Sequence, residues 1–371
     1  MSKISICVPC YNVERYIRQC LNSLICQTLE DIEIICVDDC SRDNTLNILE
    51  EYSEKHSNIK IVKHLQNRKL VQARKTAVAF ANGEYLMFVD SDDYIAPYTC
   101  EKLYNIIKDR NVDIVEFDCK QVDINGNEIN ANKSYCNLVP GYLYNEEIFV
   151  KLADNSVGQM VWNKIYKKEI IQSIYLQSRI QNLYYKEDVF LTCIAYHCAK
   201  SYYGITDKLY YYRWHSGQSR VNVMSYDLFK DRCNCSQIGL DWMQIFYATT
   251  NLNVLETKVI KSKINNWIKN SNFIDLLKLK NISDFSEYLN IFIQKWGSEQ
   301  LIDIIKSGIE GNVLDICYYQ LRLLFDCLLI LVKDSMSEEI ISNVYYKNLR
   351  DQFYDCKKYD ICNIISAIES K

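Results

Sequence analysis

The sequence Asp-Ser-Asp-Asp at residues 90–93 directly follows an apolar run at residues 85–89. Three carboxylates within four residues repel one another unless solvent or a cation neutralises them. Oxygen ligands of this kind suit a hard divalent cation such as Mg2+ or Mn2+, which can in turn bridge a diphosphate. The alternative is a solvated acidic turn before a helix that starts at Pro97. The motif alone leaves both interpretations open.

Glycine is scarce, with 10 residues in 371, and the first one is Gly83. An average chain contains about 7% glycine. The first 82 residues therefore hold neither the G-x-G-x-x-G turn of a dinucleotide-binding unit nor a glycine-rich P-loop. If a nucleotide binds in this part of the chain, metal and side chains must hold its phosphates.

The 17 cysteines are an odd number and are scattered from Cys7 to Cys362. We expect reduced thiols in the cytoplasm, because no signal peptide precedes the first apolar run. Cys7 and Cys10 form a C-x-x-C sequence, for which a redox or zinc role competes with two buried thiols at a strand end. The net charge of −4 and the lack of a basic stripe argue against a nucleic-acid partner.

The most apolar stretch of the chain covers residues 313–332. Asp315, Arg322 and Asp326 interrupt it, which favours an amphipathic or core helix over a membrane-spanning one. Three roles stay open for this C-terminal region: a homodimer interface, a peripheral contact with the inner membrane, and a wall of an acceptor groove.

Short apolar runs alternate with segments of helical periodicity over the first 118 residues. This alternation predicts an α/β fold, Rossmann-like, with a mostly parallel central sheet flanked by helices. The predicted strands cover residues 4–8, 32–37, 59–64, 84–89 and 112–117, and the predicted helices residues 13–26, 44–56, 70–81 and 97–110. Ligands of such sheets bind beyond the carboxyl ends of the strands. Those ends are residues 9–12, 38–41, 66–67 and 90–93, and three of the four carry polar, chemically capable residues.

Later segments give weaker patterns. A turn signal at Asn125-Gly126 predicts a loop or hairpin within residues 119–144. Helices are predicted at residues 145–154 and 188–199, strands at 202–212, and mainly helix from about residue 225. We therefore predict a catalytic domain over residues 1–222, with a nucleotide-sugar half (1–118) and an acceptor half (119–222). A mainly α-helical region at 223–371 follows.

Five segments together resemble the family 2 glycosyltransferases, which have the GT-A fold. They are ICVPCYN at residues 6–12, VDDCS at 37–41, AR at 73–74, GEY at 83–85 and FVDSDD at 88–93. The segments follow the order and spacing of the family over residues 4–120, with weaker matches to about residue 220. The set is most similar to bacterial enzymes that build lipooligosaccharide, capsule or other surface glycans.

The resemblance implies a binding site for a nucleotide-sugar donor at the strand ends. Tyr11 would stack on a uracil, and Asp39 would accept hydrogen bonds from the base. Asp92 and His215 would ligate Mn2+ or Mg2+. The implied nucleotide-sugar contacts are Pro9, Tyr11, Asn12, Glu14, Asp39, Asn67, Arg74, Asp90 and Ser91. Lys69 stands where many members of the family have glycine, which adds positive charge beside the donor site.

The resemblance also implies that Asp188 is the catalytic base. An inverting transfer needs a base that takes the proton of the acceptor hydroxyl as its oxygen attacks the anomeric carbon. Glu187 and Asp188 match an E-D pair of the family, although two carboxylates at a helix start also complement the helix dipole. The other implied contacts are Trp162, Lys164 and Glu187 with the acceptor or sugar, and Arg213 and Ser219 with phosphate.

Structural roles compete with these assignments. Tyr11 and Trp162 are also explained as packed aromatics. Arg74 would lie near the diphosphate, brace the acidic cluster or pair with a surface carboxylate. His215 is the type of residue that is more often structural than metal-binding.

The predicted function is a metal-dependent, inverting glycosyltransferase of the cytoplasm. It would move a sugar from a nucleoside-diphosphate sugar, UDP-linked by the resemblance, to a hydroxyl of a saccharide or glycolipid acceptor in surface-glycan synthesis. Two alternatives remain: a nucleotidylyltransferase-like enzyme and an inactive glycan-binding or scaffold protein. No nucleic-acid partner is expected.

Overall fold

The computed structural model describes residues 2–129, 135–153, 156–177, 183–214, 225–248 and 285–297, together with Asn272 and Asp275. The strands among them are β1 (Ile4–Cys10), β2 (Ile32–Asp38), β3 (Ile59–Lys63), β4 (Tyr85–Phe88), β5 (Tyr94–Ile95), β6 (Ile114–Val122), β7 (Glu128–Ile129), β8 (Gly141–Tyr144), β9 (Lys164–Lys167) and β10 (Ser201–Arg213). The helices are α1 (Ile17–Ile25), α2 (Thr45–Lys55), α3 (Lys69–Phe80), α4 (Thr99–Arg110), α5 (Glu146–Ala153), α6 (Lys168–Gln177), α7 (Glu187–Cys198), α8 (Tyr226–Ala248) and α9 (Phe285–Trp296).

All ten strands join one sheet in the order β3-β2-β1-β4-β9-β6-β10-β5, with β7 added to β6 and β8 to β10. The longest ladders are parallel: β1 with β2, β2 with β3, and β6 with β10. Strand β9 runs antiparallel to both β4 and β6, so β6 and β10 point the same way as β1 to β4. The carboxyl ends of these six strands therefore meet at one edge. This topology confirms the predicted α/β class.

Helices cover both faces of the sheet. Strands β1 and β2 are buried along their whole length, as expected of parallel strands with a helical layer on each face. Helix α1 buries Ile17, Leu21 and Leu24 in the core on one face. On the other face α3 packs on β1 and β2, and α6 packs on α3 and α7. Both helices that carry predicted functional residues, α3 and α7, lie in this second layer.

Several predicted boundaries differ from the structure. Helix α4 begins at Thr99, so Pro97 precedes the helix instead of opening it. Helix α1 begins at Ile17 rather than at residue 13. Strand β6 continues to Val122 through the buried polar residues Asp118 and Gln121, which an apolar pattern does not reveal. The turn predicted at Asn125-Gly126 is present, with Gly126 at φ +87°.

The chain divides into two compact units, residues 1–219 with 235–263 and residues 220–234 with 264–371. The domain boundary at residue 222 stays a prediction. In the second unit Arg232 donates to Asp275 at 3.0 Å, and both side chains are buried. None of the helices among the described residues is long and apolar enough to cross a membrane. The apolar stretch at residues 313–332 lies outside the described residues.

Candidate active site

The acidic turn at residues 90–93 is clamped to the end of β10. The Asp93 carboxylate is buried and accepts hydrogen bonds from the Tyr210 hydroxyl (2.8 Å) and the Arg213 amide (2.7 Å). The Asp90 amide donates to the same Tyr210 oxygen at 3.1 Å. Burial raises the pKa of Asp93 well above its usual range, and the charges of Asp92 and Asp90 raise it further. Buried hydrogen bonds therefore fix the conformation of this turn, and the interpretation as a solvated cap of the next helix is wrong.

The Arg213 side chain binds the backbone of this turn. This side chain is buried and donates to the Asp92 carbonyl (2.7 Å), the Gln19 amide oxygen (2.7 Å) and the Ile124 carbonyl (3.3 Å). A guanidinium in these contacts is turned into the protein. The structure thus gives Arg213 a positioning role in place of the predicted phosphate contact.

Arg74 joins the acidic turn to the start of α7. It is buried on α3 and donates to Asp90 Oδ1 at 2.9 Å and to Glu187 Oε1 at 3.1 Å. Burial raises the pKa of Asp90, and the Arg74 charge opposes that rise. Of the roles open to Arg74, bracing the acidic cluster is the one that these contacts support.

Glu187 and Asp188 occupy the first turn of α7, after Lys186 in a left-handed conformation. Glu187 is buried against Arg74, whereas Asp188 is partly exposed. Burial raises the pKa of Glu187 to about 7, and the Asp188 charge adds to the rise. Burial also raises the pKa of Asp188, and Arg74 opposes it. Asp188 is thus the carboxylate of the pair that remains accessible to a substrate.

A cleft opens at the carboxyl ends of β1 and β2, beside the start of α3. It contains four of the predicted donor contacts: Pro9, Tyr11, Asp39 and Asn67. Tyr11 is 42% exposed, which corrects the interpretation of this ring as a packed core aromatic. The Asn67 Oδ1 atom is buried and has no hydrogen-bond partner. The cleft lining is Pro9, Cys10, Tyr11, Asp39, Asn67, Lys69, Leu70 and Ala73.

The Asp39 carboxylate is fixed by three contacts. Its Oδ1 atom lies 2.6 Å from His64 Nδ1 and accepts from the Arg68 amide at 2.8 Å, and its Oδ2 atom accepts from the Lys69 amide at 2.8 Å. His64 Nε2 lies 2.9 Å from the Thr76 hydroxyl. A carboxylate can accept about four hydrogen bonds, so Oδ2 retains room for one more. Sequence reasoning missed His64, since an isolated histidine at a strand end has no distinguishing pattern.

Asn12 and Glu14 connect two loops instead of facing the cleft. Asn12 Oδ1 accepts from the Arg42 amide at 2.8 Å, and Glu14 Oε2 accepts from the Asn44 amide at 2.9 Å. These contacts tie the loop after β1 to the loop after β2. They support a positioning role for both residues in place of the predicted base and ribose contacts.

Lys164 lies inside the sheet. It is fully buried, 2.8 Å from Glu116 Oε1, and its ammonium also donates to Asn163 Oδ1 at 2.7 Å. An acceptor contact is excluded by this burial, so the prediction for Lys164 is wrong. Trp162 is 5% exposed and stacks on Tyr210 and Tyr212, with ring centroids 4.5 and 5.4 Å apart. Packing accounts for its position.

Two predicted residues, His215 and Ser219, lie outside the described residues. Ser91 is buried within the acidic turn. Cys7 and Cys10 are both buried free thiols, three positions apart on β1 and therefore on opposite faces. This placement favours the strand-end interpretation of the C-x-x-C sequence.

The residues at the acidic turn suit a hard cation. Asp92 is partly exposed, the Asp90 side chain is 26% exposed, and the charge of Asp90 acts on Asp188. Carboxylate oxygens are the ligands that Mg2+ and Mn2+ prefer. Among the described residues, the side chains that bring three ligand atoms within 4.8 Å of one another are Asp118, Cys119 and Cys136. That buried group offers two sulfur atoms, which are not the oxygen ligands that Mg2+ and Mn2+ prefer.

Comparison with known proteins relates part of the chain to a known family. Residues 5–175 match the model of Glycosyl transferase family 2. EpsH of Bacillus subtilis is 32% identical over 216 residues, which cover 57% of this chain and 61% of EpsH. The poly(ribitol-phosphate) beta-N-acetylglucosaminyltransferase TarS of Staphylococcus aureus is 33% identical over 217 residues, which cover 57% of this chain and 35% of TarS. The chain thus spans less than two thirds of the length of these relatives.

A solved structure shares the fold. The crystal structure of S. aureus TarS residues 1–349 in complex with UDP-GlcNAc aligns with a TM-score of 0.60 and 23% identity, covering 88% of this chain and 89% of that one. This likeness confirms the GT-A fold predicted from the motifs. The acidic turn and the residues that line the cleft lie within the segment, residues 5–175, that is similar to Glycosyl transferase family 2, and this segment is slightly less than half of the chain.

Proposed function

We propose that this chain transfers a glycosyl group, with inversion, from a UDP-sugar to a hydroxyl of a saccharide or glycolipid acceptor. The observation that carries the proposal is the line of side chains from Asp90 through Arg74 to Glu187, which places the partly exposed Asp188 beside the acidic turn. The match of residues 5–175 to Glycosyl transferase family 2 supports the reaction class. The TarS complex with UDP-GlcNAc supports a uridine nucleotide.

The cleft recognises the base. The exposed Tyr11 ring offers a face on which a pyrimidine stacks. The free acceptor site on Asp39 Oδ2 suits the N3–H donor of uracil. Cytosine has an acceptor at N3 and would face the carboxylate without a hydrogen bond, so this geometry favours uridine over cytidine nucleotides.

The acidic turn and α7 perform the transfer. Asp90 and Asp92 would hold Mn2+ or Mg2+, which when bound offsets the charge that develops on the leaving diphosphate. We also propose His215 as a further ligand of this metal, as the family resemblance implies. Asp188 takes the proton of the acceptor hydroxyl. The oxygen of that hydroxyl forms the new bond to the anomeric carbon as the bond from this carbon to UDP breaks and UDP departs. Attack from the face opposite the diphosphate inverts the anomeric centre.

The acceptor is proposed from the relatives. TarS by its name acts on poly(ribitol-phosphate), a polymer that offers hydroxyl groups. We propose a surface glycan or its lipid-linked precursor as the acceptor and the cytoplasm as the compartment, where nucleotide sugars are the donors. A peripheral contact with the inner membrane and a homodimer through the C-terminal region belong to the same proposal.

A donor panel tests the function. The protein is incubated with UDP-, GDP- and CMP-linked sugars and a panel of saccharide and glycolipid acceptors, and nucleotide and pyrophosphate release are both measured. We expect UDP release from a UDP-sugar, its loss in EDTA and its return with added Mn2+. Pyrophosphate release would instead indicate a nucleotidylyltransferase. Lack of any release across the panel would indicate an inactive binding protein. NMR of the product anomer tests inversion.

A further inference from the structure

Lys69 has an unusual backbone conformation at the entrance of the cleft. Its φ is +70°, a left-handed value that a residue with a Cβ atom rarely adopts. Two hydrogen bonds to Asp39 accompany it, one from the Lys69 amide and one from the neighbouring Arg68 amide, each 2.8 Å long. A strained conformation that the surrounding structure holds is often associated with function. Lys69 is also one of the residues that line the cleft.

The Lys69 side chain reaches from the base end of the cleft towards the catalytic pair. Its backbone is bonded to Asp39, while its ammonium lies 5.5 Å from the centre of the Tyr184 ring. Tyr184 precedes Glu187 by three residues. A nucleotide whose base lies at Asp39 and whose sugar lies at Asp188 must place its diphosphate between these two ends.

The charge of Lys69 is not neutralised by the described carboxylates. Among the described ion pairs, Arg74 takes Asp90 and Glu187, and none includes Lys69. The Lys69 residue is exposed, whereas Arg74 is buried and already engaged. A lysine ammonium is a compact charge that binds phosphate strongly, and a ring face holds it weakly enough to release it.

We propose that the Lys69 ammonium binds the diphosphate of the nucleotide sugar and gives the cleft an affinity for that group that does not depend on metal. The inference rests on the proposed function, because it assumes a nucleotide in this cleft. Metal at the acidic turn and Lys69 would then hold the diphosphate from different sides. Lys69 would select nucleotides by their phosphate charge, while Tyr11 and Asp39 select them by the base.

Binding of uridine, UMP and UDP to the full chain, measured by calorimetry in EDTA and again with Mn2+, tests this role. In EDTA we expect Lys69→Met to weaken UDP binding about tenfold and uridine binding by less than about twofold, as for loss of one charge-assisted contact. Lys69→Arg keeps the charge and should retain most of the affinity. Lys69→Gly removes the charge and the strain together, since glycine adopts positive φ freely. It should lose UDP affinity as Lys69→Met does, with an unchanged or higher melting temperature.

Lys108→Met is the matched control. Lys108 is exposed on α4 and also lies over a tyrosine, 5.6 Å from the Tyr104 ring centre. It is not one of the residues that line the cleft. It should leave all three affinities unchanged. Equal weakening of uridine and UDP by Lys69→Met, or unchanged UDP binding, would overturn the role of Lys69. Wild-type protein that binds neither UDP nor uridine, with or without Mn2+, would overturn the proposed function itself.

Discussion

Two lysine–glutamate pairs show how the two halves of the sheet differ. In the half that contains β1, β2 and β3 (the β1–β3 half), Lys60 lies 2.6 Å from Glu33; the Lys60 side chain is 47% exposed, whereas Glu33 is buried. In the half that contains β6, β9 and β10 (the β6–β10 half), Lys164 lies 2.8 Å from Glu116, and both side chains are fully buried. Solvent therefore reaches the cation of the first pair and neither member of the second.

The buried pair belongs to a network in which each member has partners. Glu116 Oε2 accepts from the hydroxyls of Tyr196 and Tyr202 at 3.0 and 2.8 Å, and its Oε1 accepts from Asn163 at 3.1 Å. Tyr196 is on α7, the helix whose first turn carries Asp188. Fully satisfied buried networks specify one arrangement of the elements that they join. The β6–β10 half thus uses a fully buried ion pair to position α7, whereas the cation of the pair in the β1–β3 half is half exposed.

The largest effect is expected at the first turn of α7, for Asp188→Asn. The amide retains the shape of the side chain but cannot take the acceptor proton, so kcat should fall about a thousandfold, within the range for loss of a general base. UDP binding should change by less than about twofold, because Asp188 does not line the cleft. Asp109→Asn, on the exposed surface of α4, is the control. Retained transfer, or loss of UDP binding along with transfer, would contradict the assignment.

The next prediction compares the two pairs directly. Lys164→Met leaves Glu116 buried without its cation and should lower the free energy of unfolding by about 3–5 kcal/mol. Lys60→Met removes the half-exposed cation of the buried Glu33, which keeps hydrogen bonds from Ser5, Asn82 and Gly83, and should lower it by less, about 1–2 kcal/mol. Urea unfolding of both variants and wild type measures the difference. Equal losses would show that the two halves do not differ in the way proposed.

A smaller effect is expected from Arg74, which links the halves. Asp188 must be deprotonated to act, so activity falls as pH drops through its pKa. Arg74 lowers the pKa of Asp188, Glu187 and Asp90 against burial. Arg74→Gln should therefore raise these pKa values and move the acidic limb of the kcat profile to higher pH, by about one unit for loss of an adjacent charge.

Two variants make the Arg74 experiment interpretable. Arg74→Lys keeps the charge and should leave the acidic limb closer to that of wild type, even if folding is weakened. Arg18→Lys alters an exposed pair with Glu51 and should not move the limb. An acidic limb at the same pH in Arg74→Gln and wild type would show that Arg74 does not tune the base.

The comparison also explains what the sequence could predict. The β1–β3 half obeys local rules: apolar strands, amphipathic helices and polar residues at the strand ends, so its strands and the cleft residues Pro9, Tyr11, Asp39 and Asn67 follow from local patterns and the family motifs. The β6–β10 half depends on distant partners. Lys164 and Glu116 are 48 positions apart, and Lys164 therefore looks like a surface residue in the sequence.

A side chain that binds backbone carbonyls also cannot be recognised from the sequence. Arg213 donates to the carbonyls of Asp92 and Ile124, and any residue type would supply those atoms. A charged residue next to a motif was therefore assigned to the substrate, although its donors satisfy the fold. Lys69 is the opposite case, because the sequence shows an unusual charge there and the structure places this residue in the cleft lining with a positive φ.

The smallest effect is expected at Tyr11, which lines the cleft at the end of β1. Tyr11→Ala removes a ring that is 42% exposed at the end of β1, so stability should change by less than about 0.5 kcal/mol. Loss of one stacking contact should weaken uridine and UDP binding equally, by about fivefold. Tyr98→Ala removes a ring that is 50% exposed beside α4 and should alter neither affinity. Because Lys69→Met is expected to affect UDP alone, the two variants separate recognition of the base from recognition of the diphosphate. A Tyr11 variant that loses stability without losing uridine affinity would instead place this ring among the packed aromatics, as Trp162 is in the other half.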